Sequence, residues 1–212
     1  MERFANLRAA GLALGRALHA YAGRADVVVL TPVRGGALVA VEVAKQLRAP
    51  LDTIVLTRLA MPDGVGTAVC AFDVAGTRVD DPEIHAIGLP AVFVDDALAR
   101  HAARVRACRG DTPPLPLAGK TIVLVDNAIR TGSTMRLAIR AVRRVHPARI
   151  IAAVPAGAPE SRASVEAVAD ETLALGWPTP FANAGAWFAD FALARDEEIP
   201  ALMREATAAG VM

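Results

Sequence analysis

Aromatic residues are scarce in this 212-residue chain, at 4% of the total, so it has few side chains from which to build stacking platforms for bases. An excess of one charge is missing too. Twenty-three Lys and Arg stand against 22 Asp and Glu, a net charge of +1, which argues against a surface made for bulk polyanions. No apolar run approaches the roughly 18 residues of a spanning helix, and the opening Met-Glu-Arg-Phe carries no secretory apolar core. A cytoplasmic protein with no membrane and no nucleic-acid partner is therefore expected. Cysteine is limited to Cys70 and Cys108, which fit no metal spacing and read as free thiols. His19, His85, His101 and His146 are scattered in the same way. Neither Gly-x-Gly-x-x-Gly nor Gly-x-x-x-x-Gly-Lys-Ser/Thr occurs, which removes dinucleotide oxidoreductases and P-loop ATPases from consideration. Lysine is reduced to Lys45 and Lys120, so arginine carries nearly all the positive charge.

What the chain has in plenty is apolar surface to bury. At 54% hydrophobic content it can fill the core of one domain spanning 1–212, and it is too short for two full-sized ones. Residues 2–22 place Leu7, Gly11, Leu14, Leu18 and Tyr21 on one side of a helix. Val27 to Leu30 is a short buried strand, followed by Arg34-Gly35-Gly36 and a helix from Ala37 to about Arg48. Leu51 to Thr57 is the next strand. From Arg58 to Gly88 glycines and prolines interrupt every period, apart from one possible hairpin of 67–74 against 77–80. So long an aperiodic stretch inside a domain reads as a flexible, functional loop. Helical spacing resumes over 94–109, with Arg100, Arg104, Arg106 and Arg109 on the polar side. The prolines of 111–116 stiffen a linker, and Ile122 to Val125 and Arg149 to Val154 are further buried strands. A helix over 159–170, a strand over 171–175 and an aromatic-rich tail over 177–212, ending in a short helix, complete the chain.

Strands that alternate with helices predict an α/β fold with a mostly parallel sheet covered on both faces. Ligands collect beyond the carboxyl ends of such strands. Asp126 and Asn127 end one strand, and Thr131-Gly132-Ser133-Thr134 opens the helix that follows, with Met135, Ala138, Ile139, Val142 and Val145 at helical spacing. The first amides of a helix lack intrahelical acceptors and sit at the positive end of its dipole, so a phosphate is favoured there. Hydroxyls of Thr131, Ser133 and Thr134 add donors. Asp126 and Asn127 are placed to hold sugar hydroxyls or a hydrated cation.

The run Ile122-Val-Leu-Val-Asp126-Asn127-Ala128-Ile-Arg130-Thr131-Gly132-Ser133-Thr134 resembles the 5-phosphoribosyl 1-diphosphate (PRPP) motif of type I phosphoribosyltransferases. Arg34-Gly35-Gly36 is similar to that family's pyrophosphate loop, and the two motifs stand in the family's order. The Arg-Gly-Gly-x-x-Val-Ala run and the ending Gly185-Ala-Trp187-Phe188-Ala-Asp190-Phe look like a bacterial subgroup of stand-alone members. The resemblance implies the type I phosphoribosyltransferase fold, with a flexible loop over 58–88 and a small hood over 177–212. It implies a 5-phosphate site of Ala128, Arg130, Thr131, Gly132, Ser133 and Thr134, and a pyrophosphate site of Arg34, Gly35, Gly36 and Arg58. Arg34, Asp126 and Asn127 would be catalytic, Asp126 would meet Mg²⁺, and Trp187, Phe188 and Asp190 would face the acceptor. A homodimer that transfers phosphoribosyl from PRPP to a small molecule is the implied protein.

Two positions depart from the family pattern. Asn127 stands where a second carboxylate is usual and brings no charge. Arg130 stands where purine-specific members place an Asp that exchanges a proton with the base; a guanidinium stays protonated and suits an anion instead. The acceptor is therefore expected to be something other than hypoxanthine or guanine. A PRPP- or nucleotide-sensing protein that has lost turnover stays open as the alternative, as does a phosphoribosyl hydrolase.

Overall fold

The structure, a computed structural model, describes residues 2–60, 67–74, 77–80, 91–110 and 112–210. Its centre is β1 (Val27–Pro32), all six residues buried, with β2 (Leu51–Ala60) on one side and β5 (Thr121–Val125) on the other, both parallel to it. Beyond β5 lie β6 (Arg149–Val154) and β7 (Glu171–Ala174), again parallel. Beyond β2 an antiparallel hairpin, β3 (Thr67–Val74) and β4 (Thr77–Asp80), completes the order β4-β3-β2-β1-β5-β6-β7. The mostly parallel α/β fold expected from the sequence is thus observed.

The continuous apolar runs of the central strands resolve into strict alternation between two cores. Val27, Val29, Val123, Val125, Ile151 and Ala153 point to one face, where α1 (Leu7–Ala17), α2 (Ala37–Leu47) and the C-terminal helix α6 (Ile199–Gly210) pack. Val28, Leu30, Ile122, Leu124, Ile150 and Ala152 point to the other, under α4 (Ser133–Arg143) and α5 (Pro159–Glu166). Period-2 side-chain direction explains this, and it explains why most positions of a two-faced strand are apolar. Each fully buried large aliphatic contributes about 1.5–3 kcal/mol.

Element ends differ from the sequence reading in instructive places. Asn6 caps α1, its Oδ1 accepting from Ala9 N at 2.8 Å, so the helix starts five residues later than expected. The strand β2 runs on through Arg58 to Ala60 because β3 pairs with it there. Within 58–88 the described residues 58–60, 67–74 and 77–80 are strands, and the hairpin is the one expected. The parts of that loop at 61–66, 75–76 and 81–90 lie outside the described residues.

One arginine placed on the polar side by its helical spacing is buried. Helix α3 (Ala91–Arg109) ends with Arg109 only 5% exposed, its Nη1 3.0 Å from Asp52 Oδ1 and its Nη2 donating to Thr53 O at 3.2 Å. Asp52 also accepts from Thr53 N at 2.7 Å and Leu115 N at 3.0 Å, so this pair ties α3 and the proline-rich linker to β2. A helical wheel cannot show this, because the partner carboxylate lies on a strand.

Candidate functional site

The loops after β1 and β5 meet at the carboxyl ends of adjacent strands. Gly36 makes the meeting possible. A Cβ there would stand 2.4 Å from Thr31 Oγ1, 2.6 Å from Val125 O and 2.8 Å from Asp126 Cα, so only glycine lets the two loops close on each other. A Cβ on Gly35 would likewise come within 2.9 Å of Asp126 Oδ1. Arg34, between strand and glycines, holds φ at +71°, a left-handed conformation that costs a non-glycine residue about 1 kcal/mol or more.

The second loop is braced from below. Ile129 N donates to Ala156 O at 3.0 Å and Ile129 O accepts from Ala158 N at 2.7 Å, a bridge that extends the pairing of β5 with the β6 side. Ser161 Oγ donates to Arg130 O, and Arg136 Nη1 donates to Thr131 O at 3.0 Å and Ser164 Oγ at 2.8 Å. Gly132, at φ +73°, turns the chain into α4, and Thr131 Oγ1 accepts from Ser133 N at 3.4 Å. Thr131 Oγ1 and Ser133 Oγ lie 3.1 Å apart beside its first turn. An eleven-residue helix therefore opens on a glycine with hydroxyls around its first amides, an arrangement that favours an anion.

Asp126 lies at the base, 8% exposed, with Oδ1 accepting from Asn127 N at 2.7 Å. A cavity of about 870 Å³ spans both loops. Its wall includes Arg34, Gly35 and the whole run 126–135, so Arg34, Gly35, Asp126, Asn127, Ala128, Arg130, Thr131, Gly132, Ser133 and Thr134 are brought together. Gly36 is buried beneath it as a packing residue. The side chain of Arg58 lies outside the described residues.

The aromatic tail contributes differently from the expectation. Phe188 is 1% exposed, with its ring 5.9 Å from that of Phe4 and 5.2 Å from that of Phe191, so it is a core residue. Trp187 stacks on Phe181 at 6.2 Å, and its carbonyl accepts from Phe4 N at 2.9 Å. Trp187, Phe188 and Asp190 are not on the cavity wall; Asn183, Ala184, Gly185, Phe191 and Leu193 are. Aromatic identity in sequence does not distinguish a ring facing a cavity from one facing the core. Sequence reasoning also missed Arg100 and Arg104 of α3, which line the cavity. Their i,i+4 spacing was the available signal, but only the packing of α3 against β2 aims them inward.

Four arginines, 34, 100, 104 and 130, and one carboxylate, Asp126, face this cavity among the described residues. Arg34 and Arg104 pair with Asp196, and Arg100 with Asp96. No group of three or more His, Cys, Asp or Glu is placed to cage a metal among the described residues. No helix among them is long and apolar enough to cross a membrane.

A family model for the phosphoribosyl transferase domain matches residues 6–184. Two sequences from strains of Mycobacterium tuberculosis, both provisionally named phosphoribosyl transferase, are 34% identical to this chain over 97% of its length and 47% of theirs. The chain thus spans about half the length of the curated relatives it matches. The crystal structure of the TT1426 protein from Thermus thermophilus is 32% identical, with a TM-score of 0.75, covering 96% of this chain and 98% of that one.

Proposed function

Because the chain belongs to the phosphoribosyl transferase family, we propose that it binds PRPP with Mg²⁺ and transfers the phosphoribosyl group to a non-purine acceptor, releasing pyrophosphate. The observation that carries this reading is the single cavity in which a helix N-terminus, Asp126 and Arg34 converge from two strand ends. The 5-phosphate would rest on the amides and hydroxyls of residues 131–134, with Ala128 and Arg130 beside it. Asp126 and Asn127 would take the ribose hydroxyls, and Arg34 with the amide of Gly35 would take the diphosphate.

Transfer requires the bond from ribose C1 to diphosphate oxygen to break while a nucleophile bonds to C1 and loses its proton. Charge moves onto the departing diphosphate, and Arg34 is placed to stabilise it. Asp126 is the one carboxylate on the wall among the described residues, which suits an ion that arrives with the diphosphate and needs one or two protein oxygens, the usual mode of Mg²⁺. Bound there, the ion would supply further charge neutralisation of the leaving group. Arg130, exposed at the rim, cannot serve as a proton acceptor, which disfavours hypoxanthine and guanine.

A second reading keeps the binding and drops the turnover: a PRPP-sensing regulatory protein, favoured by Asn127. Incubation with PRPP, Mg²⁺ and a panel of bases and amines, followed for pyrophosphate, separates the two. Acceptor-dependent release is the expected outcome. PRPP binding with no release under any acceptor supports the sensor, and absence of PRPP binding defeats both.

A further inference from the structure

Arg34 does not face the cavity alone. Its Nε lies 3.6 Å from Asp196 Oδ1, and the same carboxylate takes Arg104 side-on, Nε to Oδ2 at 2.9 Å and Nη2 to Oδ1 at 3.4 Å. Arg104 Nη1 also donates to Leu56 O at 2.8 Å. Three of the five N–H groups of a guanidinium are thereby engaged among the described residues, and the buried Cys108 thiol also lies against Arg104 and Asp196. Strand, helix and C-terminal segment together hold the plane of this side chain, which is 26% exposed. One carboxylate between two guanidinia leaves a unit of positive charge for the cavity to compensate.

The place of Arg104 in the fold says which end of a ligand it meets. The sheet order runs β2, β1, β5. The 5-phosphate cradle follows β5, the Arg34 loop follows β1, and Arg104 comes from α3 with its contact on Leu56 of β2. It therefore lies on the far side of Arg34 from the cradle and shares a carboxylate with Arg34. Building on the PRPP reading above, we infer that Arg104 is a second diphosphate-binding residue and that Asp196 is the positioning residue that sets both arginines.

The two halves of PRPP provide the test. Titration calorimetry is run with ribose 5-phosphate and, separately, with pyrophosphate and Mg²⁺, on the wild type and on Arg104→Gln, Arg104→Lys and Asp196→Asn. Loss of charge-assisted hydrogen bonds predicts about a tenfold or greater loss of pyrophosphate affinity in Arg104→Gln and a smaller loss in Arg104→Lys. Ribose 5-phosphate affinity stays unchanged in all variants, which also shows that the site is folded. Asp196→Asn discriminates by sign. If the carboxylate merely repelled the ligand, its removal would tighten pyrophosphate binding; as a positioning residue its removal weakens it. Unchanged pyrophosphate affinity in Arg104→Gln, equal weakening of both ligands, or tighter pyrophosphate binding in Asp196→Asn overturns the inference while the PRPP reading stands. A wild type that binds neither compound overturns the PRPP reading and this inference with it.

Discussion

Asn127 keeps the shape of a carboxylate and none of its charge, and that difference sets a testable sign. In Asn127→Asp a second anion would sit beside Asp126, whose Oδ1 already accepts from the backbone N of residue 127. With Mg²⁺ present the added carboxylate gains a cation to pair with, and PRPP binding tightens by about tenfold, roughly 1.4 kcal/mol. With the metal chelated the same carboxylate only repels the diphosphate, so the variant binds PRPP more weakly than wild type. Calorimetry with and without chelator checks both signs, and one sign in both conditions would refute the metal assignment. Gly36 fails in another way. Alanine there meets Thr31 Oγ1 at 2.4 Å and Val125 O at 2.6 Å, so Gly36→Ala should lose about 2 kcal/mol in urea denaturation through overpacking, and PRPP binding with it. Both residues were legible in the sequence because the loop chemistry is contiguous: Asp126 to Thr134 and Arg34 to Gly36 each need only local geometry. Arg104, Asp196, Asn183 and Phe191 were not, since each reaches the site through a different element and no local pattern marks it.

Helices α1, α2 and α6 are joined by a polar hub that no motif announces. Arg8 of α1 meets Glu205 of α6 through two bonds at 2.9 and 3.0 Å, pairs with Glu42 of α2, and Lys45 of α2 contacts both glutamates, Glu42 at 3.3 Å. The hydrogen bonds from Arg8, followed by those from Lys45, hold the Glu205 carboxyl down at about 2. A depressed carboxylate contributes stability above its unfolded value near 4.5, and loses it as pH falls toward 2. Solvent screens this hub, so the contribution is nearer 1 kcal/mol than the full shift implies. Glu205→Gln should therefore destabilise the protein by about 1 kcal/mol above pH 5, with the gap to wild type closing between pH 4.5 and 2. Chemical denaturation across that range measures it, and a gap independent of pH would reject the ion-pair account. At this scale the strands were read well, because two-faced burial writes itself as unbroken apolar runs. Helix ends were read less well: α5 stops at Glu166, four residues early, and the chain then turns so that Asp170 Oδ2 accepts from Ile150 N at 2.7 Å. That bond spans 20 residues, beyond the reach of any periodicity.

Across the whole molecule the site is a joint between separate strand ends, and a ligand that bridges the joint must stabilise the fold. The proposed 5-phosphate cradle belongs to β5 and α4 and the Arg34 loop to β1 and α2, with Gly36 packed on Asp126 where they touch. A ligand that binds only the folded state, at roughly a hundredfold over its Kd, adds about 2.7 kcal/mol. For a chain of this size that corresponds to a rise in Tm of about 5–10 °C. PRPP with Mg²⁺ is expected to produce that rise, and chelation of the metal to remove much of it. The informative comparison is with the halves. Ribose 5-phosphate and pyrophosphate added together, each at the concentration used for PRPP, should raise Tm less than PRPP does. Two separate molecules each lose translational freedom, whereas one covalent ligand spans both loops at the entropic cost of one. Thermal unfolding followed by circular dichroism decides it. Equal shifts for the mixture and for PRPP would mean that the two loops bind their ligands independently, and that the cavity does not hold one phosphoribosyl diphosphate across the joint.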